Sequence, residues 1–115
     1  MTKIVYDLDG PAISMEGHAL SGKPGEDIIC AAESMLLMCL EKRLMDLGEG
    51  LMMTVKKSPG RAYVAARAQE ETETLCRAAF DTVFAGFMLL AEYEPEHVST
   101  CQRGGMEEGG ESAWS

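Results

Sequence analysis

Gly17-His-Ala-Leu-Ser-Gly-Lys-Pro-Gly25-Glu-Asp-Ile-Ile-Cys30-Ala-Ala-Glu-Ser34 is the stretch in which a loop hands over to a helix, and the rest of the chain is organised around it. Three glycines and a proline within nine residues cannot sustain a periodic element, so residues 17–25 read as a loop. The sequence then turns apolar at Ile28. Pro24 stands where a proline is tolerated, before or at a first helical turn. Glu26 and Asp27 suit the positive end of a helix dipole. The helix is expected to run from Glu26 to Asp46 or Leu47, ended by Gly48. Ile28, Ile29, Ala32, Met35, Leu36, Met38, Cys39 and Leu40 spread over more than one face of it. Such a helix is expected to be buried on several sides, with Cys39 in the core.

Within this stretch lie the residue types of thiol chemistry. Cys30 falls about one turn inside the helix, close enough to its amino end to favour a thiolate. Asp27, three residues before, and Ser34, four after, project from neighbouring positions. His18 is one of only two histidines. An imidazole can take a thiol proton and return it to a leaving amine. The same residues also fit a plainer reading, in which Cys30 is a small buried hydrophobe and His18 a loop residue.

On the N-terminal side, Lys3–Tyr6 is a β-rich run, residues 7–11 form a turn, and Ala12–Glu16 alternates as a half-buried strand does. The pair predicts a hairpin that delivers His18 at its far end. On the C-terminal side, residues 50–57 and 61–66 flank Ser58-Pro-Gly60 as a second hairpin. Leu75, Cys76, Ala79, Phe80, Val83, Phe84, Phe87 and Leu90 recur at three- and four-residue steps, predicting a helix from Glu70 to Glu92 with one apolar stripe. Glu94-Pro-Glu96 breaks it, and residues 97–101 are a candidate short last strand, with His97 exposed. The expected fold is α+β: a mostly antiparallel sheet of two hairpins plus that last strand, with two helices layered against it. One domain spans residues 1–101, and an acidic Gly/Glu-rich tail, residues 102–115, is expected to be disordered. Trp114 is unusual in such a tail.

The chain has 115 residues, enough for one modest core. Its net charge of −9 argues against nucleic acid and for a basic partner. Nine methionines fill space that aromatics would otherwise take and adapt to partners. No signal peptide or membrane-spanning run is apparent, so the expectation is a cytoplasmic protein without membrane contact. Cys30, Cys39, Cys76 and Cys101 have no CxxC pairing, which suits free thiols. Scattered singly, they and the histidines offer no metal site, and no cofactor is expected.

Gly17-His18-Ala19, a short loop, Asp27, two apolar residues, then Cys30-Ala31-Ala32-Glu33-Ser34 resemble the signature of the Prp family of ribosomal-processing cysteine proteases. The resemblance implies a homodimeric cysteine endopeptidase that removes a short hydrophobic N-terminal extension from a large-subunit ribosomal protein. It implies Cys30 as nucleophile and His18 as general base and acid, with Asp27 and Ser34 in support. The loop carrying Gly17, Ala19, Leu20, Gly22 and Gly25 would order over the bound peptide. Leu20, where relatives often have glycine, and Glu33, where a small apolar residue is common, depart from the pattern where loop mobility and substrate fit would be set. The rival readings are a non-catalytic acidic homodimer that binds a partner through its methionines, a phage-associated homologue with another substrate, and a redox-sensing thiol protein, which would want a resolving cysteine nearer Cys30.

Overall fold

The computed structural model describes residues 1–17, 26–105 and 113–114, with the side chains of Glu26, Asp27, Ala113 and Trp114 outside that description. Strand β1 (Thr2–Asp7) turns into β2 (Ala12–Glu16), and helix α1 (Glu26–Leu47) ends in a 3-10 turn at Gly48–Gly50. There follow β3 (Leu51–Ser58), β4 (Arg61–Ala68), α2 (Glu70–Tyr93), β5 (Val98–Arg103) and β6 (Ala113–Trp114). The sheet order is β3-β4-β2-β1-β5-β6. All neighbours are antiparallel except β1 and β5, which pair in parallel with Thr2 opposite Val98. Both hairpins and both helices fall where period and punctuation put them. β5 lies inside the sheet rather than at its edge: α2 carries the chain across and returns it beside β1, and β6 pairs on the other side.

Period-two alternation builds the inner face. Thr2, Ile4 and Tyr6 of β1 and Ala62, Val64 and Ala66 of β4 point to the helices and are buried, while Lys3, Arg61 and Tyr63 point away. The β3–β4 turn is the dipeptide Pro59-Gly60, with Ser58 opposite Arg61. Gly60 has φ 76°, the sign that the second central residue of such a turn requires.

α2 commits Cys76, Ala79, Phe80, Val83, Phe84, Phe87 and Ala91 to the core. Tyr6 stacks on Phe80 at 6.1 Å between centroids and tilts against Phe84 at 5.1 Å. Its hydroxyl donates to Asp81 Oδ1 at 2.7 Å. Against the expectation of no membrane-spanning run, α2 could cross a membrane by length and composition, with mean hydropathy 1.4. Its phenylalanines are instead core residues of this sheet. Gly86 lets the helices approach closely, since a Cβ there would lie 2.6 Å from Leu36 Cδ2.

Three expectations are corrected. α1 is not buried on several sides: its core residues are Ile29, Glu33, Leu37, Leu40 and Leu44, a single stripe at three- and four-residue steps. Ile28, Met35, Met38 and Met45 are exposed, and so is Cys39. Two helices sharing one face of a sheet each have one arc to bury, however many apolar residues they carry. Leu75 is likewise exposed. His97 is half-buried rather than exposed, its Nδ1 3.3 Å from Glu94 Oε1.

At the C-terminus, β5 continues through Arg103, two residues into the segment expected to be a tail. The carbonyl of Arg103 accepts from Leu8 N at 2.9 Å, and Gly105 N donates to Asp9 Oδ1 at 2.8 Å. Trp114 stands opposite Cys101 in β6. Residues 106–112 and 115 of the expected tail lie outside the described residues.

Candidate active site

The first turns of α1, the end of β2 and the β3–β4 turn enclose a cleft of about 310 Å³. Cys30, Glu33, Ser34, Leu37 and Met38 line it from α1, Met15 and Gly17 from the exit of β2, and Lys57, Ser58, Gly60, Arg61 and Ala62 from the hairpin. A larger hollow of about 480 Å³ shares Met15, Lys57, Ser58, Arg61 and Ala62 but contains no thiol.

Gly17 fixes how the chain leaves β2. Its φ is 90°, and a Cβ there would lie 2.5 Å from the Met1 carbonyl oxygen. Its N–H donates to the Gly60 carbonyl at 2.8 Å, tying the strand exit to the hairpin turn. Only glycine meets both demands without strain. Arg61 pairs with Glu16 at 2.9 Å, and Lys57 pairs with Glu41 of α1 at 2.8 Å. These partly exposed pairs add little stability; the first joins β4 to β2, and the second joins the hairpin to the helix.

Of the sequence-derived site residues, Gly17, Cys30 and Ser34 meet at this cleft. Asp27 opens α1 as its second residue. His18, Ala19, Leu20, Gly22 and Gly25 lie outside the described residues. The four thiols are sharply different. Cys30 is half-buried in the cleft wall, whereas Cys39 is exposed beside Arg43 and Leu75. Cys76 and Cys101 are buried, and burial raises the Cys76 thiol above its ordinary value, which keeps it protonated and unreactive. His97, the second histidine, is not among the residues lining the cleft. Among the described residues, no three His, Cys, Asp or Glu side chains converge as a metal would require.

Glu33 is the site residue that sequence reasoning undervalues. It is 2% exposed in the floor of the cleft, one helical turn beyond Cys30. Its Oε1 accepts from Thr2 Oγ1 at 3.3 Å, while its buried Oε2 has no hydrogen-bond partner among the described residues. Burial raises its carboxyl above the ordinary value, opposed by the Thr2 hydrogen bond and the N-terminal ammonium. The available signal is positional: Ile29, Glu33 and Leu37 share one stripe at four-residue steps, so a glutamate sits at a core position.

The arrangement places a half-buried thiol near a helix start, in the wall of a cleft of about 310 Å³. A protein from Streptococcus mutans, SMU.848, has the same fold, with TM-score 0.68 and 24% identity over 90% of this chain and 93% of that one. The essential ribosomal processing protease Prp from S. aureus, solved with a covalently linked product peptide and also with a substrate peptide, superposes with TM-score 0.73 in each case. There the identity is 16%, over 90% of this chain and all of that one. No curated protein matches in sequence. The family model for cysteine protease Prp matches residues 1–99, and the chain therefore belongs to that family of cysteine proteases.

Proposed function

We propose that this cysteine protease is a processing endopeptidase that removes a short hydrophobic N-terminal extension from a large-subunit ribosomal protein, acting in the cytoplasm as a homodimer. The observation that carries the reading is the position of Cys30, the cysteine that lines the groove, while Cys76 and Cys101 are buried and Cys39 faces away from it. The solved S. aureus relative, a ribosomal processing protease with a substrate peptide, supports the substrate class. Exposed Ile28, Met35, Met38 and Met45 on α1 give a second copy an adaptable apolar face.

In this mechanism His18 takes the Cys30 proton and the thiolate attacks the scissile carbonyl. The amine leaves with the proton that His18 returns, and water then hydrolyses the thioester. Asp27 orients the pair and Ser34 steadies the helix start or the peptide. Residues 19–25, with Leu20, Gly22 and Gly25, close over the peptide and exclude water.

The test is cleavage of a synthetic peptide spanning the extension junction, followed by mass spectrometry. Cys30→Ala should lower turnover at least about a thousandfold and leave the fold intact. Cys39→Ala and Cys101→Ala should remain active. Retained turnover in Cys30→Ala would sink the mechanism. Cleavage of another peptide, with the extension peptide left intact, would keep the protease and assign it a different substrate, as for a phage-associated homologue.

A further inference from the structure

A core position that holds an acid instead of an apolar side chain costs stability, because burial strips the carboxyl of water. α1 has such a position at Glu33, which is 2% exposed and one helical turn beyond Cys30. Its Oε2 has no hydrogen-bond partner among the described residues, and Oε1 accepts from Thr2 Oγ1 at 3.3 Å. Ile29 and Leu37, its neighbours in the stripe, are buried by apolar contact, which has no direction and tolerates small slides of the helix. A hydrogen bond has a direction and does not.

Thr2 is the fixed end of that bond. It is fully buried in β1, and its N–H donates to the His97 carbonyl at 2.8 Å. On another side it adjoins Gly17, where a Cβ would stand 3.7 Å from Thr2 Cα. Thr2 thus meets the exit of β2 directly and the Cys30 turn of α1 through Glu33.

We propose that Thr2 and Glu33 are positioning residues, whose hydrogen bond sets where the Cys30 turn of α1 stands against the strand exit at Gly17. The proposal rests on the reading of Cys30 and His18 as nucleophile and base, since His18 is the residue that follows Gly17. Neither Thr2 nor Glu33 has to reach the peptide. The bond acts on the approach of thiol to base, where proton transfer needs hydrogen-bond reach and a small displacement is expensive.

The experiment is a mutant cycle on the full chain. Its readouts are iodoacetamide labelling of Cys30 at neutral pH, followed by peptide mapping, and denaturant unfolding. Thr2→Val keeps the side chain's shape without its hydroxyl, and Glu33→Met replaces the acid by an apolar chain. Thr2→Val alone should lower the unfolding midpoint, because it strands a second carboxyl oxygen. With both partners apolar, the midpoint should return to that of the unsubstituted protein or exceed it. Labelling should not return with it: Cys30 of the double variant should react about tenfold more slowly than in the unsubstituted protein. Thr2→Ser keeps the donor and Glu33→Gln keeps an acceptor, so each should retain most of the rate. Thr2→Val should label more slowly than Thr2→Ser, which reads the hydroxyl with Glu33 left in place. In a His18→Ala background, already slow, the double substitution should slow labelling no further.

A double variant as stable and as fast as the unsubstituted protein would overturn the positioning role and leave the dyad standing. So would a slow Glu33→Gln, which would assign the effect to charge. A further loss in the His18→Ala background would also overturn it, because the effect would not pass through the base. If Cys30 of the unsubstituted protein labels no faster than Cys39, the nucleophile is misassigned and the positioning role falls with it.

Discussion

α1 and α2 are nearly equal in length, 22 and 24 residues, and they share one core on one face of the sheet. They use that position differently. α2 buries an unbroken run of Cys76, Ala79, Phe80, Val83, Phe84, Phe87 and Ala91, with Tyr6 stacked into it. α1 interrupts its stripe with Glu33, lines a cleft with Cys30 and Ser34, and leaves three methionines exposed. A stripe that is apolar throughout reports only on packing. One that carries a buried acid beside a half-buried thiol departs from the packing optimum, as functional sites do. α2 is thus the support, and α1 is the element that carries the proposed site.

The strongest way to break that comparison is to damage the support. Phe80 is fully buried and stacked on Tyr6. Phe80→Ala should cost about 3–5 kcal/mol, the range for deleting a buried ring, and denaturant unfolding would show it as a lowered midpoint with little change in slope. A loss below about 1 kcal/mol would mean that α2 is not the anchor.

Next in size is Gly17→Ala, at the junction between support and site. A positive φ together with the Met1 carbonyl at 2.5 Å leaves no room for a Cβ. The expected stability loss is about 1–2 kcal/mol. Activity should fall about tenfold further than that loss explains, because the proposed base is the next residue and small misplacements are expensive. Measuring Tm and peptide cleavage on the same preparation separates the two effects. An unaltered rate would place the geometry of this strand exit outside the mechanism.

Much of this division is legible in the sequence, and the gaps have physical causes. The hairpins follow from alternation and from Pro59-Gly60, while the limits of α1 follow from Glu26-Asp27 and Gly48, all local signals. The parallel pairing of β5 with β1 is long-range: no property of residues 98–103 announces which strand they join. Cys39 is misplaced by sequence reasoning because α1 is apolar nearly all round, so composition cannot choose the inward arc. Glu33 stands out in the sequence only as a departure from a family pattern. Its four-residue step from Ile29 and Leu37 already places it inward, but a charged residue is rarely assigned to a core. Cys30 is marked by its setting beside a helix start and a glycine-rich loop, whereas the cleft opposite it needs the fold.

Glu33→Gln sharpens the comparison through pH. A carboxyl raised by burial favours the folded state most when protonated, so its contribution is full below the ordinary value of 4.5 and is lost as pH rises through the folded value. The carboxamide of the variant does not titrate. The variant should therefore gain on the unsubstituted protein as pH rises from about 4, and the gap should level off once Glu33 is ionised. Taking the difference between the two proteins cancels the other carboxylates. A gap that narrows with rising pH would mean that the ionised form of Glu33 is the better accommodated one.

The smallest expected effect is the most direct test of which arc of α1 faces inward. Cys39 and Cys76 are both helical cysteines among apolar neighbours, and in the sequence they look alike. In the structure Cys39 is exposed, whereas Cys76 is fully buried under the sheet. Serine is nearly isosteric with cysteine but carries a hydroxyl that must be hydrogen-bonded. At position 39 of a separated protomer water supplies the partner, and the change in stability should stay within about 0.5 kcal/mol. At position 76 the hydroxyl enters the core, and a loss of about 1–3 kcal/mol is expected if the helix backbone does not satisfy it. Cleavage by Cys39→Ser should be unaltered, because that side chain lies outside the cleft. Equal losses at the two positions, in denaturant titrations of the protein in dilute solution, would show that the outer face of α1 is covered as firmly as the inner one, and the contrast between a supporting and a working helix would then fail at its base.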